Sequence, residues 1–263
     1  MTERVTLITG ASAGIGMELA RVFAANGHRL ALTARRVDRL EALATELAAK
    51  GSNKGGKKPI VIACDLEDAD AGERIAAALA AEGVELDHLV NNAGFGVFGD
   101  AIERDRAEQL GIVDVNVRAL TDLSLRFADQ LIRNKGGLLN VGSVAGFLPG
   151  PGMAVYYASK AYVISFTEAL RAELAPHGVR VTVLCPGPVP TEFQARAGVG
   201  SQHDTAMLNV SAAEVAREAY RGLMANKRAV LPGLGIKIVP FALRFFPRDF
   251  ILSATSRFQR QRH

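Results

Sequence analysis

The chain has 263 residues, 49% of them hydrophobic and 22% charged, which supports one substantial core and excludes a disordered, fibrous or disulfide-stapled chain. Its two cysteines, Cys64 and Cys185, lie in apolar runs; they make neither a disulfide framework nor a metal site and fit a reducing, cytoplasmic setting. The net charge of +4 is concentrated after residue 235, where six basic residues face one acid and leave 25 basic against 26 acidic residues elsewhere, so the body lacks the basic face that a nucleic-acid partner requires.

The predicted elements alternate from the first residues onward. The apolar run at 5–9 reads as a strand, followed by a Gly-rich turn and a helix stopped by Asn26-Gly27. A second strand is expected at 29–33, a helix through Leu40, Leu43 and Leu47, and a Gly- and Lys-rich loop at 51–59. Strands at 60–64 and 88–91 bracket a helix at 67–82. Two helices are expected over 104–133, then a strand at 138–141, a long helix at 155–176 and a strand at 180–184. Residues 186–208 have no clear period, and that length suggests a functional lid. A helix at 212–224 and a short strand at 229–231 complete the series. The β-α-β rhythm predicts an α/β fold, a doubly wound Rossmann-type parallel sheet of about seven strands with helices on both faces. Residues 1–235 form a single dinucleotide-binding and catalytic domain in this reading, and 236–263 a basic amphipathic C-terminal extension. The first apolar run is too short for a signal peptide or a membrane span.

Directly after the first strand stands Thr9-Gly10-Ala11-Ser12-Ala13-Gly14-Ile15-Gly16. A sharp reversal, close approach of backbone to a pyrophosphate and a helix N-terminus aimed at the anion all call for glycine here. At the end of the second strand, where a carboxylate would receive a ribose 2′-hydroxyl, the chain has Arg35 and Arg36. Guanidinium groups suit a 2′-phosphate instead, which points to NADP rather than NAD.

Tyr156 and Lys160 are four apart on the long helix and so share a face. A phenol ionises near pH 10 in water, and an ammonium one turn away stabilises its anion. Ser143 follows the fifth strand at the sheet edge where doubly wound folds bind ligands. Tyr157 points about a quarter-turn away and reads as structural.

These elements together resemble the compact, single-domain branch of the short-chain dehydrogenase/reductase family, over residues 4 to about 232. The resemblance is carried by Gly10, Gly14 and Gly16, by Cys64-Asp65-Leu66, by Asn91-Asn92-Ala93-Gly94 and by Val115-Asn116-Val117. Gly142-Ser143, Tyr156-Tyr157-Ala158-Ser159-Lys160 and Pro186-Gly187-Pro188-Val189-Pro190-Thr191 continue it. The resemblance implies that Tyr156 is the general acid in carbonyl reduction and the base in alcohol oxidation. It implies that Lys160 lowers the phenol's pKa and holds the nicotinamide ribose, that Ser143 hydrogen-bonds the substrate oxygen, and that Asn116 holds a water of a proton relay. Asp65 would contact adenine, Asn92 would support the central strands and the cofactor, and Val189 and Thr191 would meet the carboxamide. Ser12, Ala13, Ile15, Ala93, Gly94, Pro186 and Gly187 complete the expected cofactor surface. Hydride transfer of this kind needs no metal. The resemblance also implies a homodimer or homotetramer, built through the helices after the fourth and fifth strands.

The reading is therefore an NADP-dependent oxidoreductase acting on a carbonyl/alcohol pair, with a non-catalytic NADP-binding protein of the same fold as the alternative. Phe95, Val97, Phe98, Phe147, Leu148, Met153 and Phe193 flank the expected site and suggest an apolar ketone, aldehyde or 3-oxoacyl substrate. In the extension, Pro240 and Pro247 are expected to divide two short helices, each starting near its proline. The segment is read first as a cover for the substrate pocket or a subunit contact, and second as an interfacial membrane anchor.

Overall fold

The computed structural model describes residues 2–51, 57–197 and 210–260. Seven parallel strands form one sheet in the order β3-β2-β1-β4-β5-β6-β7. They are β1 (Glu3–Thr9), β2 (Leu30–Ala34), β3 (Ile60–Ala63), β4 (Val84–Asn91), β5 (Gly137–Val141), β6 (Arg180–Leu184) and β7 (Ala229–Val230). The chain winds outward from β1 to β3, returns to β4 beside β1, and winds outward the other way to β7. The strand order thus reverses between β1 and β4, the point where open α/β sheets form a ligand crevice.

Successive residues of each strand face opposite sides, and both sides are apolar. Leu7, Leu89 and Leu138 enter one core, with Ile75 of α3 (Ala71–Ala81) and Leu170 and Leu174 of α7 (Ala154–Leu174). Ile8, Val90 and Leu139 enter the other, with Leu19 and Phe23 of α1 (Gly14–Ala25), Leu40 and Leu43 of α2 (Val37–Ala49), and Val215 and Leu223 of α9 (Ala212–Met224). Burial on both faces is why the strands read as unbroken apolar runs rather than alternating ones.

Three local expectations need correction. The stretch read as two helices over 104–133 contains α4 (Arg106–Val113), α5 (Leu120–Arg126) and α6 (Ala128–Asn134), with a π-helical segment at Asp114–Ala119 between the first two. The helix expected at 67–82 begins only at Ala71, because Asp65 Oδ1 accepts the Glu67 N–H at 3.1 Å and holds a turn before it. In the expected lid, α8 (Glu192–Ala197) is helical, and 198–209 lie outside the described residues.

The extension also differs. Gly233, at φ +91°, turns the chain after Pro232, and α10 (Leu234–Ala242) starts there, so Pro240 lies inside the helix rather than at its start. The cost is contained: one N–H is missing near the end of the helix, just before the chain tightens into a 3-10 turn at Leu243–Phe245. The last helix, α11 (Arg248–Arg260), does start beside its proline, Pro247.

Candidate functional site

The C-terminal ends of the strands open into one cavity of about 720 Å³. Every cofactor or catalytic residue singled out from the sequence lines it except Asn116, which sits behind the wall next to Val115.

At one end lies the turn after β1. Gly10 has φ +64°, and a Cβ there would stand 2.8 Å from the Ala93 Cα. A Cβ on Gly16 would stand 2.3 Å from both the Asn92 Nδ2 and the Gly10 oxygen. The turn is clamped to β4: Asn92 Nδ2 donates to the Thr9 and Gly10 carbonyls at 2.8 and 3.2 Å. Thr9 Oγ1 accepts the N–H groups of Asn92 and Ala93, both at 3.0 Å. No side chain caps α1 at Ala13 and no acid stands in its first turn, so its N-terminal N–H groups and positive dipole end face the cavity.

Arg35 Nη1 lies 3.5 Å from both Asp65 Oδ2 and Glu67 Oε1. Arg36 reaches Glu192 of α8 at 2.8 Å and donates to Ser12 Oγ at 3.4 Å. Both arginines are about half exposed, and both border the turn that would hold a dinucleotide's ribose.

At the other end, Ser143, Tyr156 and Lys160 are buried together. Ser143 caps the 3-10 turn Val144–Phe147 by accepting the Ala145 N–H, and its side chain lies close enough to Tyr156 to oppose the rise of the phenol's pKa. Lys160 Nζ donates to the Val141 carbonyl at 2.8 Å and lies 5.8 Å from the centre of the Tyr156 ring. Here the sequence expectation that the lysine makes the phenol more acidic does not hold. Burial pushes Tyr156 up to about 12, against a smaller opposing effect from Ser143. Burial also pulls Lys160 down to about 8. Desolvation dominates both shifts, and the ammonium is engaged by the Val141 carbonyl.

Asn116 lies in the π-helical segment, a distortion that often marks functional sites. Its amide donates to the Phe95 carbonyl and the Ser159 hydroxyl, both at 3.0 Å, and its Oδ1 accepts the Phe95 N–H at 3.1 Å. Both amide hydrogens are thus spent, leaving only an oxygen, Oδ1 or the main-chain carbonyl, to receive a water. Lys160 Nζ and Asn116 Oδ1 border the same small space, where a Cβ on Gly94 would stand 3.3 and 2.9 Å from them.

Four contributors were missed in the sequence. Thr9 organises the turn, and Ser159 bridges Asn116 to the Tyr156 carbonyl, to which it donates at 2.7 Å. Gly96 lets the backbone pass the Tyr156 ring, 2.8 Å from where a Cβ would be. Glu192 ties α8 to Arg36. Thr9 and Ser159 stand inside the quoted motifs without an assigned role, Gly96 stands just beyond one, and Glu192 had no signal. Val189 and Thr191 also line the cavity; Thr191 packs over Gly14, 3.2 Å from where a Cβ would be. Tyr157, read as structural, lines it too.

Among the described residues, one group of potential metal ligands brings its atoms within 4.8 Å of one another: His28, Asp87 and His88, toward the opposite end of the central strands.

The profile of the family described as short chain dehydrogenase matches residues 4–201. The chain is 41% identical to a sulfoacetaldehyde reductase of Chromohalobacter salexigens, covering 73% of this chain and 75% of that one. It is 38% identical to a serine 3-dehydrogenase of Agrobacterium fabrum, covering 74% and 76%. Among solved structures, a short-chain dehydrogenase from Sphingobium yanoikuyae in complex with NADPH is 30% identical, with a TM-score of 0.82 and 95% of each chain covered.

Proposed function

The chain belongs to the short-chain dehydrogenase family, and from that premise we propose that it is an NADP-dependent oxidoreductase interconverting a carbonyl and an alcohol on an apolar substrate. The observation that carries this reading is the burial of Ser143, Tyr156 and Lys160 together at one end of a cavity whose other end holds the uncapped α1 N-terminus and two arginines. The glycine turn and that N-terminus suit a pyrophosphate, and Arg35 and Arg36 suit a 2′-phosphate. The Sphingobium relative, in complex with NADPH, supports the same cofactor.

The bound dinucleotide supplies the hydride. Ser143 donates a hydrogen bond to the substrate oxygen and stabilises the negative charge that develops on it. Tyr156 delivers its phenolic proton to that oxygen in reduction and withdraws it in oxidation. With its pKa pushed up to about 12, the phenol is protonated throughout the neutral range, which favours its use as an acid. Lys160, fixed by the Val141 carbonyl, holds a positive charge beside the site and would help hold the nicotinamide ribose. Asn116 offers an oxygen beside that ammonium, where a water can pass protons onward.

The substrate class rests on the walls. Phe95, Leu148, Met153, Tyr157 and Phe193 surround Ser143 and Tyr156, and the only cations among the cavity's described residues are Arg35, Arg36 and Lys160. The two curated relatives are named for sulfoacetaldehyde, an anion, and serine, a zwitterion. Among the described residues, the substrate end of the cavity offers a sulfonate or carboxylate no arginine, and burying such a group unpaired is costly. The test is NADPH consumption with paired aldehydes and ketones of matched size, one of each pair apolar and one anionic. The apolar member is expected to have the higher kcat/KM by about tenfold or more; preference for the anion would overturn the substrate class, and no turnover of any carbonyl would overturn the activity.

A further inference from the structure

The C-terminal helices display apolar side chains on a scale unlike the rest of the surface. Ile238 and Phe241 of α10, Phe245 and Phe246 of the turn that follows, and Phe250 and Leu252 of α11 are 44–70% exposed. The rings stand in two pairs: Phe241 and Phe245 meet edge to face at 5.1 Å between centres, and Phe246 and Phe250 stack at 5.2 Å. The segment is nonetheless anchored, since Ile236 is buried and packs where Gly187 leaves room. α10 also packs beside the 3-10 turn that follows Ser143. A continuous aromatic patch of this kind marks a surface that meets something apolar.

The charge identifies what it meets. Lys237, Arg248 and Arg257 are exposed in the same segment, and from residue 236 onward six basic residues stand against Asp249 alone. A second copy docking tail to tail would bring two strongly cationic segments together. The rest of the chain has nearly balanced charge, with no net excess of acid to draw the tail of a second copy. An anionic bilayer satisfies both features, with the phenylalanines entering the boundary between headgroups and acyl chains and the cations held at the headgroups. No helix of the described residues is long and apolar enough to cross a membrane, so the segment lies along the surface. We propose that α10 and α11 seat this protein on an anionic lipid surface, by the paired phenylalanines and the basic residues around them.

The test uses the full chain and needs no turnover, so it stands apart from the proposed activity. Sedimentation is measured with vesicles of phosphatidylcholine alone and of phosphatidylcholine with equimolar phosphatidylglycerol. The chain is expected to pellet with the anionic vesicles, to pellet little with neutral ones, and to be partly released by high salt. Phe246→Ser with Phe250→Ser, and separately Arg248→Glu with Arg257→Glu, are each expected to reduce the bound fraction about tenfold or more, leaving turnover of a soluble substrate unchanged. Failure to pellet with anionic vesicles, or undiminished binding by both double variants, overturns the proposal. So does light scattering that finds a dimer dissolved by the phenylalanine substitutions, since the patch is then covered by a second copy.

Discussion

At the C-terminal ends of β4 and β5 a serine, a tyrosine, a lysine and an asparagine are buried around a cavity. At the N-terminal ends of the same strands, His28, Asp87 and His88 are packed against Thr6, Arg180 and Tyr220. Both clusters bury groups that titrate, and in both the burial disfavours charge: Tyr156 goes up, Lys160 and His28 go down. They differ in what is left over. In the histidine cluster, Thr6 Oγ1 lies 3.0 Å from His28 Nδ1 and donates to Asp87, while His28 Nε2 meets the Tyr220 hydroxyl at 3.3 Å and His88 Nε2 accepts from Arg180 at 3.1 Å. Three of the four ring nitrogens have hydrogen-bond partners, while His88 Nδ1 lies 2.9 Å from Asp87 Oδ1 without making a hydrogen bond; a guanidinium on His88 disfavours a metal cation there. Ser143, Tyr156 and Lys160 instead line the open cavity. Polar groups that mostly satisfy one another hold a fold together, whereas polar groups held in place with capacity to spare can act on a ligand.

The sharpest way to break that contrast is Tyr156→Phe. Removal of the one proton donor is expected to lower turnover by roughly 10³-fold, with NADPH affinity, read by fluorescence titration, changed little. The pH profile carries the same logic with a sign. Reduction needs the phenol and oxidation needs the phenolate; with the phenol's pKa near 12, the phenolate fraction rises tenfold per pH unit through the neutral and mildly alkaline range. Oxidation should therefore climb with pH while reduction does not. A reduction rate that climbs with oxidation would remove Tyr156 from the acid's role.

A second prediction concerns the far end of the cavity. Arg35→Asp places a third carboxylate beside Asp65 and Glu67 and removes a charge-assisted hydrogen bond to a 2′-phosphate. The ratio of kcat/KM for NADP over NAD is expected to fall by about 10- to 100-fold. An unchanged ratio would mean that Arg35 stays with its two carboxylates when the cofactor binds.

The third tests the boundary between site and scaffold. Thr9→Val strands the N–H groups of Asn92 and Ala93. Leaving buried donors unpaired should cost about 2 kcal/mol in urea unfolding and weaken cofactor binding as the turn loosens. Lost stability without weaker binding would place Thr9 wholly on the scaffold side.

How much of this was legible follows from distance along the chain. The glycine turn, the arginines after β2 and the Tyr156–Lys160 pair are local patterns, and the alternation of apolar runs gave the sheet and its windings. The family resemblance supplied Asn116, whose π-helical setting is invisible to a 3.6-residue period. Thr9, Ser159 and Glu192 act through partners 43 to 156 residues away or through carbonyls, and their types alone say nothing of it. The direction of the Tyr156 shift was misread for a related reason: helical spacing puts the ammonium one turn away but does not say that burial dominates both groups. Pro240 was misread because a proline is tolerated wherever the hydrogen bond it removes is cheap, which includes the last turn of α10.

The smallest expected effect comes from the histidine cluster. If Thr6 donates to Asp87, its oxygen receives the His28 Nδ1–H, which leaves Nε2 to accept from Tyr220 and makes the neutral imidazole the form that fits. Burial first, then the charges of His88 and Arg180, push His28 from 6.5 down to about 4, with Asp87 opposing. Between those values the unfolded chain takes up a proton that the folded chain refuses. Stability should therefore be unaffected by this group above pH 6.5 and decline as the pH falls from 6.5 toward 4. In His28→Gln the urea midpoint should fall less over that interval than in the parent, with turnover at neutral pH unchanged. The carboxylates held low, Glu46 and Asp87, act at the acidic end of the scale and beyond it, so the upper part of the interval belongs to the histidine. If both proteins lose stability equally there, His28 accepts its proton as readily in the fold as in water, and the cluster does not hold it neutral.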